Sequence, residues 1–137
     1  MREVLFRGKK LNGEWTYGYY VQADYSWHDY GKHKEWIVCS AHSNGGWFAL
    51  QEKHAVIFKT VGQYIGLKDE NGTKIFEGDI VRDAETSDVG KIFFDTYTAM
   101  FVIGFETTIA DFNASYSLEV IGNIYDNPEL IGGETNG

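Results

Sequence analysis

At 137 residues the chain has the length of one domain. Its 43% apolar content, with nine Phe, nine Tyr and four Trp against a single proline, excludes a disordered or linker-like polymer. The single cysteine, Cys39, excludes an internal disulfide, and no run of about 18 apolar residues occurs, so the expectation is a cytoplasmic protein with no part in a membrane. The net charge of −8 is uneven: residues 1–60 carry eight Lys/Arg against six Asp/Glu, residues 61–82 three against four, and residues 83–137 one, Lys91, against ten. So acidic a C-terminal part is a poor surface for duplex phosphate and suits a basic partner, although such carboxylates also simply keep an aromatic-rich chain in solution.

In chain order, residues 3–8 alternate as a strand and turn at Asn12-Gly13. Residues 14–22 return with Trp15, Tyr17, Tyr19 and Val21 alternating against smaller or polar neighbours, which predicts a first hairpin over 3–22. Residues 23–47 are irregular, a long aromatic and histidine-bearing loop with a strand at 35–40 and a glycine turn at 44–46. A further strand is expected at 55–60.

The run 61–82, VGQYIGLKDENGTKIFEGDIVR, holds the strongest local signals. Val61, Gln63, Ile65 and Leu67 read as one side of a strand, Asn71-Gly72 as a tight hairpin turn, and Gly78-Asp79 as a second turn before the strand begun by Ile80-Val81. Residues 90–95 and 99–105 predict another hairpin across Thr96-Tyr97-Thr98. A short helix or irregular crossover is expected at 107–114 and a last strand at 118–124. Asn127-Pro128-Glu129 then looks like a helix start that Gly132-Gly133 stops within about one turn. The reading is all-β: sequential antiparallel hairpins forming one or two small, partly open SH3-like barrels, with at most short helical turns. A single domain over 1–137 is expected, divisible into an N-terminal β region 1–60, a C-terminal barrel 61–131 and a frayed tail 132–137.

Several residue sets invite a function. Trp27, His28, Tyr30, His33, Trp36 and Trp47 cluster in or beside the long loop and are the candidate binding residues. Cys39-x-x-His42 with His28 and His33 could supply four zinc ligands, but no second Cys-x-x-Cys knuckle or helical face aligns them, so surface histidines beside one half-buried thiol are the default. Neither a cofactor nor a catalytic residue is assigned: Cys39 or Ser40 with His42 or His54 rests on residue availability alone. Asp79 and Asp95 fit turn aspartates better than an acid–base pair. Arg2, Arg7, Lys9, Lys10, Lys32 and Lys34, with Trp15, Tyr17, Tyr19, Trp27 and Trp36, fit a barrel that stacks the bases of single-stranded nucleic acid.

Phe6-Arg7-Gly8-Lys9, Gly13-Glu14-Trp15-x-Tyr17-Gly18-Tyr19, the 61–82 run and Val120-Ile121-Gly122-Asn123-Ile124-Tyr125-x-Asn127-Pro128-Glu129-Leu130 together resemble the YopX family of phage and prophage proteins. Residues 23–60 depart from that pattern. The resemblance implies a phage-encoded, cytoplasmic, mostly β protein and no particular reaction. The expected role is therefore a non-enzymatic module that binds an unidentified host or phage protein and is able to self-associate. Single-strand nucleic-acid binding and a metal-dependent enzyme at the Cys39/His loop are the alternatives.

Overall fold

The computed structural model describes residues 3–22, 35–44, 47–112 and 117–132, and for residues 39–44 and 47–52 the backbone alone. The fold is almost all β: ten antiparallel strands are described, followed by one 3-10 turn. It divides into two compact units, Met1–Gln63 and Tyr64–Gly137.

In the first unit β1 (Phe6–Lys10) and β2 (Trp15–Gln22) form the expected hairpin. β2 pairs with β3 (Glu35–Asn44), β3 with β4 (Trp47–Lys68), and β4 returns to pair with β1, giving a partly ring-like arrangement that is not a closed barrel. The separate strand expected at 55–60 is part of β4, whose 22 residues continue into the second unit. Ile37, Val38, Trp36 and Val56 are buried here. Gly8 lies so close to Val56 that a Cβ would stand 3.1 Å from the valine side chain, which would have to shift to admit it.

The second unit begins with the end of β4, which pairs with β5 (Lys74–Phe76). Its main sheet has the order β10-β6-β7-β8-β9, with β6 at Asp79–Asp83, β7 at Val89–Asp95, β8 at Met100–Gly104, β9 at Ile109–Ala110 and β10 at Leu118–Asn123. Ile65, Ile75, Val81, Ile92, Ile103 and Leu118 make its core, with Phe101, Phe105, Phe112 and Val120 packed against them. β-branched side chains supply most of that core, as a pleated surface favours.

Four local expectations change. Simple alternation through 61–67 fails: Gly62, Tyr64 and Ile65 are buried while Leu67 is 44% exposed, because Gly66 at φ 93° breaks the pleat within an irregularity between Tyr64 and Lys68. Neither Asn-Gly is a two-residue turn with both residues at positive φ. In each, only the glycine has positive φ, and the same bonds recur: Gly13 N–H to Lys10 O and Lys10 N–H to Glu14 O, then Gly72 N–H to Asp69 O and Asp69 N–H to Thr73 O. That is the three-residue loop closed by a glycine bulge. Residues 107–112 contain the two-residue strand β9 and no helix. Pro128–Ile131 is a 3-10 turn stopped at Gly132 as expected, but Asn127 makes no side-chain cap; its Oδ1 instead accepts the N–H of Asn123 at 3.2 Å.

Candidate functional site

Within the second unit, hairpin β7–β8 reaches beyond its neighbours. Cα pairing with β6 covers only 89–91 of β7, and pairing with β9 covers only Ile103 and Gly104 of β8. From Phe93 to Val102 the described partners of the hairpin strands are each other. Phe94 packs edge-on against Phe101 with ring centroids 5.3 Å apart, stiffening this two-stranded arm.

The tip is ordered by Asp95. Its Oδ1 accepts the N–H of Tyr97 at 3.0 Å, its Oδ2 accepts the Thr98 hydroxyl at 3.0 Å, and its carbonyl accepts the N–H of Ala99 at 2.8 Å. Ala99 is held at φ 58°, a conformation that glycine adopts at lower cost. The product is a Tyr97 ring 98% exposed at the summit, with Phe94 at 42% and Met100 at 40% on the two faces behind it. Loop 83–88 repeats the device: Asp83 accepts Glu85 N–H through Oδ1 and Ser87 N–H through its carbonyl, with Ser87 at φ 65°. The second unit carries four Lys/Arg against fourteen Asp/Glu, whereas the first carries eight against six.

Asp79 is 2% exposed and its Oδ2 accepts Phe76 N–H at 2.7 Å. It closes the turn at Gly78, whose N–H bonds Ile92 O and whose carbonyl accepts Ile124 N–H. Asp79 and Asp95 are thus turn aspartates, as their sequence positions suggested. A groove of about 630 Å³ in the same unit is lined in part by Ser87, Lys91, Phe105, Thr107, Leu130 and Ile131.

The first unit presents a different face. Along β2, Thr16 and Gly18 point inward while Trp15, Tyr17 and Tyr19 point outward. Arg7 lies opposite Tyr17 and Lys9 opposite Trp15 on β1, and the Arg7 guanidinium and Lys9 Nζ stand 4.7 and 5.8 Å from the Trp15 ring centroid.

Of the candidate binding residues, Trp36 is in the core, 4% exposed, with Lys53 Nζ 5.8 Å from its ring. The backbones of Trp47, Cys39 and His42 lie in β4 and β3, where His42 pairs with Ala49. Trp27, His28, Tyr30 and His33 lie outside the described residues. Among the described residues no three His, Cys, Asp or Glu side chains gather as a metal ion would need. No described helix is long and apolar enough to cross a membrane. The sequence reading placed Thr96-Tyr97-Thr98 in a turn without singling out Tyr97; an aromatic between two hydroxyl residues, preceded by Asp95, was the available signal.

Residues 5–132 match the YopX protein family. The chain belongs to the YopX family. No curated protein matches it. Among solved structures it is similar to protein EF1440 from Enterococcus faecalis, with a TM-score of 0.63 and 22% identity over 96% of this chain and 99% of that one. At that identity the likeness establishes a shared fold. Gly122 is explained by packing: a Cβ there would come within 2.6 Å of Asn127 Oδ1.

Proposed function

We propose that this YopX-family chain is a non-enzymatic interaction module, phage- or prophage-encoded and working in the bacterial cytoplasm, that binds a basic protein partner through its second unit. The observation that carries the reading is the β7–β8 arm, which holds an almost fully exposed Tyr97 on a loop fixed by the Asp95 carboxylate. Tyrosine is among the residues that dominate binding energy at interfaces, and an anchor ordered beforehand loses less conformational freedom on association. The excess of acids in the same unit would speed encounter with a cationic partner and discourage anionic ones. The β6–β7–β8 meander is of the kind found in SH3-like barrels, a scaffold that carries many unrelated functions.

The test is a photo-cross-linking aromatic placed at position 97 of the full chain and activated in host cells. The expected product is a reproducible adduct with a protein bearing a lysine- or arginine-rich segment. Adducts only with a second copy of the chain would replace this reading with self-association, and a random spread of adducts would overturn it.

A further inference from the structure

We infer that the outward face of hairpin β1–β2 is a stacking platform for a short stretch of single-stranded nucleic acid. This goes beyond the basic-protein reading, since it concerns the first unit and a different partner. Tyr17 and Tyr19 are 48% and 59% exposed and sit two residues apart on one strand, so their rings rise from the same side roughly 6.7 Å apart along it. Single-strand-binding sheets use this arrangement because any base has a flat face to lay on a ring, whatever its sequence.

A cation stands beside the rings. Gly62, Arg7 and Tyr17 form one row across β4, β1 and β2, and Ile57, Lys9 and Trp15 form another. Lys9 therefore brings positive charge to the side of the tyrosine stripe, its Nζ 5.8 Å from the Trp15 ring, whereas Arg7, only 6% exposed, backs the Trp15 ring from within. Thr60 supports the same strip: its hydroxyl accepts the N–H of Lys9 at 2.9 Å and donates to Ile57 O at 2.6 Å, tying β1 to β4 where their register shifts. A neutral glycan would also lie on exposed tyrosines, but the bordering Lys9, in the unit where Lys/Arg outnumber Asp/Glu, favours an anionic backbone.

The test uses the full chain with labelled short oligo(dT) and oligo(rU), read by fluorescence anisotropy across a salt series. Neutralising about one phosphate gives an expected log–log salt slope of about −0.7. Tyr17→Ala with Tyr19→Ala should weaken binding roughly tenfold or more, whereas Tyr17→Phe with Tyr19→Phe should retain it because the ring does the stacking. Lys9→Gln should flatten the salt slope. Tyr97→Ala should leave oligonucleotide binding unchanged, which separates this inference from the basic-protein reading. Circular dichroism and the melting temperature establish that each variant is folded. Four outcomes overturn the inference: no oligonucleotide bound at low salt by folded protein, equal binding by the double alanine variant, equal competition by inorganic polyphosphate, or binding of a neutral oligosaccharide in place of the oligonucleotide.

Discussion

Asp69 accepts three backbone N–H groups: Asn71 and Thr73 through Oδ1, at 2.9 and 2.8 Å, and Val120 through Oδ2 at 2.9 Å. Two of these shape the β4–β5 turn and the third ties that turn to β10, 51 residues on. Burial pushes the Asp69 carboxyl up, but the N–H donors of Val120, Thr73 and Asn71 together outweigh it and hold the group below the ordinary aspartate value. A depressed carboxylate stabilises the fold fully above its unfolded value and loses that contribution as pH falls through its folded value. Asp69→Asn keeps one oxygen for the turn and turns an amide toward the Val120 N–H. It should cost about 1–2 kcal/mol at neutral pH, measured by denaturant unfolding, with the gap to the wild type narrowing in acid. A gap that widens as pH falls would contradict this sign.

Ala99 carries the opposite prediction. At φ 58° it occupies backbone space that disfavours a Cβ, so Ala99→Gly should stabilise by roughly 0.5–1 kcal/mol, seen as a raised denaturation midpoint at unchanged slope. Sequence could not reveal Ala99 or Ser87, because neither residue type signals positive φ. It did reveal Gly78-Asp79 and both Asn-Gly pairs, where chemistry and conformation coincide.

At the scale of elements, hairpins joined by short turns were legible: β1–β2, β7–β8 and the last strand lie within a few residues of their expected places. β4 was not, because alternation detects only regular pleating and Gly66 interrupts it inside a continuous strand. Gly66→Ala should therefore cost about 1–2 kcal/mol, since φ 93° is strained for any residue with a Cβ. Thermal or denaturant unfolding measures it, and a neutral result would show that the irregularity relaxes without a glycine. The β7–β8 arm was legible as a hairpin but not as a projection. Its reach past β6 and β9 depends on where those strands stop, which is a matter of pairing partners and not of local pattern.

Across the whole molecule, charge and fold divide together. The first unit carries a small excess of Lys/Arg and the tyrosine face; the second carries all of the excess acid and the exposed arm. The charge imbalance was visible in the sequence, since it needs only counting. The surfaces were not, because exposure of Tyr17, Tyr19 and Tyr97 follows from which faces the core leaves uncovered. Trp36 makes the same point in reverse: placed among aromatic and basic residues that suggested a binding loop, it is enclosed beside Ile37 and Val38.

The measurement that bears most directly on the interaction reading is the affinity of the cross-linked basic partner, purified, for wild-type chain, for Tyr97→Ala, and for a variant with exposed Glu85, Asp88, Glu106 and Glu129 changed to Lys. Loss of the anchor should weaken binding by about 2 kcal/mol or more, chiefly through faster dissociation. Charge reversal should slow association and abolish its salt dependence. Affinity and rates unchanged in both folded variants would contradict the account.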